Sequence, residues 1–186
     1  MREYRGEGRA YHNPRHLEEC LVQFDTVRGL FRRPDEAEAA VWFHDAIYNP
    51  RADDNEERSA DLADRLLGPA GVPTEYLAEI RRLILATGHR GTRDPQDDAA
   101  LVTDIDLTIF GTEPERFDEY ERDIRREYAF AADDEFRRRR AQILESFLAR
   151  PAIYATRGFA DRFEAPARAN LRRSIATLRA GAAGEN

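Results

Sequence analysis

The sequence predicts an all-α protein, and three features of it carry that prediction. Apolar residues recur at three- and four-residue steps along most of the chain. Asn-Pro and Gly-Pro pairs and isolated glycines fall where those stretches start or stop. No stretch sustains a period of two, and only Ile105-Asp106-Leu107-Thr108-Ile109-Phe110 passes for a strand. There is no internal repeat, so a solenoid is not expected. With 186 residues, 41% hydrophobic and 35% charged, the chain is long enough for a full core, and nothing in it marks a division into two domains.

Residues 1 to 11 read as polar and irregular. Asn13-Pro14 then starts a first helix, with Asn as N-cap and Pro at the first helical position. Leu17, Leu21, Phe24, Val27 and Leu30 form its core stripe, His16 lies in its first turn, and Cys20 reads as a buried spacer beside Leu17 and Leu21. Arg32-Arg33-Pro34 breaks it. Asp35 is expected to cap a second helix that carries Ala37, Ala40, Val41, His44 and Asp45 and runs to Asn49-Pro50. A polar loop leads to Asn55 as the cap of a third helix, with Glu56 and Glu57 in its first turn and Ala60, Ala63, Leu66 and Leu67 inward. Gly68-Pro69 stops it. A fourth helix runs from Thr74 to Gly88, with Leu77, Ile80, Leu83, Ile84 and Ala86 inward. Arg90 to Gln96 is a loop by its Gly, Asp and Pro content. A fifth helix spans Ala99 to Phe110 and contains Asp104 and Asp106. Glu113 to Phe130 and Asp133 to Ala149 are amphipathic helices rich in Glu and Arg. Pro151 breaks the pattern, a last helix covers Asp161 to Leu178, and Ala180 to Asn186 is a frayed tail.

The formal charge of −7 supplies no positive field to draw the chain onto nucleic acid or an anionic membrane, so neither partner is expected. All 29 cationic residues are arginine, a side chain suited to bidentate contact with carboxylate or phosphate, although base composition of the genome is the favoured account, since most of them fall on predicted polar helix faces. The single cysteine excludes an intramolecular disulfide and fits a reducing compartment. With no apolar leader behind Met1-Arg2-Glu3-Tyr4-Arg5 and no long apolar run, a cytoplasmic location is expected. A homodimer through an exposed helical face is compatible with the sequence but not indicated by it.

The chemistry concentrates in Val41-Trp42-Phe43-His44-Asp45-Ala46-Ile47-Tyr48. An imidazole and a carboxylate set into an apolar run are costly unless paired, and a divalent metal suits both. An HD dipeptide alone carries little weight. The ordered set carries more: all four histidines, His12, His16, His44 and His89, fall in the first half of the chain, and aspartates follow on the fifth helix. Asp104 and Asp106 stand about 200° apart on a helix, so both cannot face one metal.

Five segments, Tyr11-His12-Asn13-Pro14-Arg15-His16-Leu17, Trp42-Phe43-His44-Asp45, Asn55-Glu56-Glu57-Arg58-Ser59-Ala60, Ala86-Thr87-Gly88-His89 and Thr103-Asp104-Ile105-Asp106-Leu107, together resemble the HD-domain superfamily of metal-dependent phosphohydrolases. With Ile124-Arg125-Arg126-Glu127-Tyr128 and Phe147-Leu148-Ala149-Arg150 they look like a bacterial branch of predicted HD phosphohydrolases. The resemblance implies a single HD-type helical bundle over residues 1 to 186, with a core at about 11 to 110 and a C-terminal helical extension at about 113 to 180. It implies His16, His44, Asp45 and one of Asp104 and Asp106 as metal ligands. Asp106 is favoured, because the family's last aspartate usually precedes a packing leucine, and Asp104 is then expected on the surface. His89 resembles an added histidine that touches substrate or a second metal, against a loop-anchoring role. His12 stands where an extra histidine often precedes the first ligand, and is assigned to substrate binding. Glu56 either acts as base, holding a metal-bound water, or stabilises its helix's first turn.

Two imidazoles and two carboxylates leave a divalent Mn, Co, Ni, Zn, Mg or Fe ion open to a water and a phosphate oxygen. The expected activity is hydrolysis of a small phosphorylated compound, a nucleotide for preference, through a metal-activated water, with Asp45 as ligand and proton acceptor. Arg125, Arg126 and Tyr128 are the candidate phosphate clamp, against simple ion pairing along their own helix, and Arg137 to Arg140 read as a solvated face, although Arg140 would turn toward Leu144 and Phe147. Two other readings keep the fold: a di-iron oxygenase using His12, Glu56 and His89 for a second metal, and a non-catalytic nucleotide-binding module.

Overall fold

The computed structural model describes residues 3–89, 91 and 94–183, and they are helical throughout, with no strand among them. They form two compact units, Met1–Asp106 and Leu107–Asn186. Arg90, Thr92 and Arg93 of the expected loop, Met1 and Arg2, and the last three residues of the expected tail lie outside the described residues.

The first unit holds five helices: α1 (Pro14–Val27), α2 (Pro34–Phe43), α3 (Asn55–Leu67), α4 (Thr74–Ala86) and α5 (Asp98–Asp106). Helix α4 packs against α2, α3 and α5, and α1 packs against α2 and α5. Leu17, Phe24, Ala37, Ala40, Ala60, Leu83, Ile84 and Ile105 fill the space between them. Helix α1 starts as its sequence dictates: Asn13 Oδ1 accepts the Arg15 amide at 2.8 Å and Pro14 takes the position where no amide is needed. Its stripe ends early, because Leu30 belongs to a 3-10 turn and is 67% exposed.

Several boundaries differ from expectation. Asp35 is not the cap of α2; Arg33 holds that position and Asp35 stands in the first turn. The amides of Arg32 and Arg33 are instead met by the buried Asp98 carboxylate at 3.0 and 2.9 Å. Helix α2 stops at Phe43 rather than at Asn49-Pro50, so His44 and Asp45 occupy a turn just past its end. Asn55 is the first residue of α3 and not its cap, which is Asp54; its side chain instead pairs with both backbone groups of Asn49. Helix α5 ends at Asp106, and a 3-10 segment, Leu107–Gly111, follows in the second unit. Asp104 is fully buried rather than at the surface: from Ala100 to Ile105 every residue of α5 is buried, so this helix has no solvent face there.

The second unit contains α6 (Pro114–Glu127), α7 (Asp133–Leu148) and α8 (Arg157–Ala183). The last helix starts before the expected Asp161 and continues past Leu178. Phe110, Phe117, Tyr120, Leu144, Phe147, Tyr154, Phe159 and Leu171 form the core, with Phe110 and Phe147 edge to face at 5.0 Å. Gly111 allows α8 to approach, since a Cβ there would stand 2.7 Å from Phe163 Cβ. Arg140 leaves the solvated face of Arg137 to Arg139 and turns inward as expected: it is buried and donates to Tyr120 Oη at 2.6 Å and to Glu121. Among the described residues no helix is long and apolar enough to cross a membrane.

Candidate metal centre

His16 enters from the first turn of α1, His44 and Asp45 from the turn that closes α2, and Asp106 from the last residue of α5. Their donor atoms meet at one point. His16 Nε2 lies 3.2 Å from His44 Nε2, 3.4 Å from Asp45 Oδ2 and 3.3 Å from Asp106 Oδ1. His44 Nε2 lies 3.1 Å from Asp45 Oδ2 and 3.7 Å from Asp106 Oδ1. Donors about 2.1 Å from one ion stand about 3.0 Å apart across a right angle and about 3.4 Å apart across a tetrahedral one. The observed separations therefore match the edges of a coordination polyhedron around a single divalent ion.

The chemistry of the nitrogens points the same way. His44 Nδ1 lies 2.8 Å from the Val41 carbonyl, which can only accept, so Nδ1 carries a proton. In the neutral ring, Nε2 then presents a lone pair to the centre, the outer-sphere arrangement that orients metal-ligating histidines. Asp106 is also held from behind, because its Oδ2 lies 2.9 Å from His89 Nε2. The two donor types differ in exposure: the His16 and His44 side chains are 3% accessible, and those of Asp45 and Asp106 are 17% and 19%. The imidazoles form the floor of the centre, and the carboxylates form the side that solvent can reach.

Electrostatics without an ion follow from this crowding. Burial opposes charging of His44, but the Asp45 and Asp106 carboxylates overcome it and push its pKa up to about 10. Burial likewise opposes charge on His16, and Cys20, Tyr11 and the same two carboxylates raise it well above the usual range. Burial works against ionised Asp45, yet His44, His12 and His16 hold it well below the ordinary carboxylate range. Asp106 is held low in the same way by His16, His89 and His44. Two protons on the facing nitrogens would repel each other across 3.2 Å, so the ion-free cluster is a shared-proton network between two imidazoles and two carboxylates.

Cys20, which reads as a buried spacer in the sequence, lies one turn after His16 on α1, and that spacing is the signal for a further donor. His16, Cys20, His44 and Asp106 offer donor atoms all within 4.8 Å of one another, so this buried group could hold a metal ion. The sulfur lies 3.8 Å from both His16 ring nitrogens. The separation from Nε2 is close to that of a thiolate and an imidazole on one ion, so Cys20 stands beside Asp45 as a candidate donor.

The other anticipated residues divide between the two units. Glu56 lies on α3 with its carboxyl carbon 3.5 Å from where a Gly88 Cβ would stand, beside the His89 loop. His12 stacks on Tyr48 at 3.9 Å and 23°. Arg125, Arg126 and Tyr128 belong to the second unit and make local contacts there. Arg125 donates to the Tyr128 and Ala131 carbonyls and to Asp133, with its guanidinium 4.8 Å from the Phe136 ring centre. Arg126 is 71% exposed and pairs with Asp123, and the Tyr128 ring lies 5.7 Å from Phe130. Tyr4 and Arg9, both in the stretch expected to be irregular, turn out to bind the His44-Asp45 turn. No protein-family model, curated protein or solved structure matches this chain.

Proposed function

We propose that this protein is a metal-dependent phosphohydrolase of the HD type, acting on a small phosphorylated substrate, a nucleotide for preference. The observation that supports it is the convergence of His16, His44, Asp45 and Asp106 at separations suited to one divalent ion. These four residues would hold the ion. When bound, it supplies a water of lowered pKa and a Lewis-acid contact for a phosphate oxygen.

The chain's own residues do the rest. His16 and His44, at the floor, exclude solvent from one side and leave the carboxylate side for substrate. Asp45, ionised and partly accessible, accepts the proton that the attacking water gives up. His89, whose Nε2 lies against the outer oxygen of Asp106, holds that carboxylate in place.

The test uses protein stripped of metal and reloaded separately with Mn, Co, Ni, Zn, Mg or Fe, screened on nucleotides and other phosphate esters beside Asp45→Ala. The expected result is one ion per chain and turnover that requires it, both lost in Asp45→Ala while helicity is unchanged. An active metal-free variant overturns the proposal, and two irons with an oxygen-dependent spectrum favour the oxygenase instead.

A further inference from the structure

The turn that presents His44 and Asp45 starts at the last hydrogen bond of α2, where the final helix carbonyls lack intrahelical partners. Their partners can be traced one by one. Ala40 O accepts from the His44 amide and Phe43 O from the Ala46 amide, each at 2.9 Å. Val41 O is met by His44 Nδ1. The others are met from a distant part of the chain. Tyr4 Oη donates to Trp42 O at 3.1 Å and accepts the Asp45 amide at 3.3 Å. Arg9 Nη1 donates to Asp45 O at 2.7 Å and to His12 O at 3.0 Å, and Arg9 Nη2 donates to Ala46 O at 2.9 Å.

The segment is built for this task. Tyr4 is 2% exposed although it lies near the start of the chain. The Arg9 guanidinium lies 5.4 Å from the Tyr4 ring centre and 5.7 Å from that of Tyr48, so two aromatic faces hold it. Tyr48 in turn stacks on His12, closing the segment against the far side of the turn. A guanidinium reaches three carbonyls through a planar fork that an ammonium cannot reproduce. It also sets a positive charge at the negative end of α2.

We propose that residues 3–12 form a strap that fixes the His44-Asp45 turn, with Arg9 and Tyr4 as positioning residues for both side chains. As a statement about metal affinity this rests on the metal-centre reading above; as a statement about the turn it does not. The test compares full-length wild type, Arg9→Ala, Arg9→Lys and Tyr4→Phe by Co2+ competition titration. Amide exchange at Asp45 and Ala46 and 15N shifts of the His44 ring are followed in metal-free protein.

Arg9→Ala and Tyr4→Phe are expected to weaken Co2+ binding about 10- to 100-fold, the range for outer-shell groups, with helix content unchanged. Arg9→Lys is expected to fall between them and wild type. Exchange of the Asp45 amide is expected to quicken in Tyr4→Phe. Wild-type affinity and exchange in both Arg9→Ala and Tyr4→Phe overturn the strap and leave the metal centre standing. If wild type itself binds no Co2+, the metal reading fails, and faster or unchanged exchange in metal-free Tyr4→Phe supports or overturns the strap by itself. Should Arg9→Ala not fold, Tyr4→Phe, which removes one oxygen, carries the test.

Discussion

His89 Nε2 lies 2.9 Å from Asp106 Oδ2, while Oδ1 of the same carboxylate lies 3.3 Å from His16 Nε2. Because Asp106 is held in its ionised form, His89 is the donor of that bond. The backbone is bent to achieve it: His89 has φ of +56°, a left-handed conformation that costs a non-glycine residue about 1–2 kcal/mol.

His89→Ala should therefore lower metal affinity about 10- to 100-fold, the usual consequence of losing a ligand's outer-sphere partner. His89→Asn keeps a donor and tolerates the left-handed backbone, so it should lose less. His89→Gly should separate the two effects, binding metal as poorly as His89→Ala while leaving the metal-free protein more stable than that variant. Competition titration and thermal melts of the three variants check this. Wild-type affinity in His89→Ala would show that Asp106 needs no support.

The pH dependence follows from the shared protons of the ion-free cluster. The imidazoles have raised pKa values, that of His44 to about 10, so their contribution is full below the unfolded value of about 6.5. It is lost as pH rises toward 10, because the folded form then holds protons that the unfolded chain has released. Metal-free protein should lose about 1.4 kcal/mol of stability per pH unit for each such proton. The depressed carboxylates act at the other end, stabilising above about pH 4 and failing as pH falls through their folded values. An incoming ion must displace at least one of the shared protons, so metal affinity should climb about tenfold per pH unit between pH 6.5 and 8.5. Denaturant melts of metal-free protein and metal titrations across that range measure both slopes, and a flat affinity profile would mean that the site binds without releasing protons.

What was legible in the sequence was local, and what was missed was long-range. Asn13-Pro14 gives the start of α1 because cap and first residue are chain neighbours. The end of α2 could not be read so, since its carbonyls are completed by Tyr4 and Arg9, far upstream, and Pro50 was the nearest visible stop. The angular argument separates Asp104 from Asp106 but says nothing about what lies opposite, and a helix buried on every side from Ala100 to Ile105 leaves no solvent for Asp104 to face. For Arg140 the inward turn toward Leu144 and Phe147 is legible, and its polar partners are not. Its neighbours Arg137 to Arg139 suggest a polar face, and its buried partners Tyr120 and Glu121 come from α6. The spacing of His16, His44, Asp45 and Asp106 gave no distances; these come from the packing of α1, α2 and α5 against one another.

That packing is pinned at its far end by Asp98. Its carboxylate takes the Arg32 and Arg33 amides at 3.0 and 2.9 Å, tying the start of α5 to the start of α2. The same two helices bring His44 Nε2 and Asp106 Oδ1 to 3.7 Å at their other ends, so they run side by side in one direction. Asp98→Ala removes two acceptors from a buried position and should destabilise the protein by about 2–4 kcal/mol, with an unchanged denaturant m-value. Asp98→Asn keeps one strong acceptor and should cost about half as much. Because a loosened α2-α5 pair spreads His44 and Asp106, Asp98→Ala should also bind metal more weakly, and saturating metal should restore part of the lost stability by favouring the folded form. If the variant loses stability but binds metal as tightly as wild type, the two ends of the helix pair are independent and the site is set by its own turn alone.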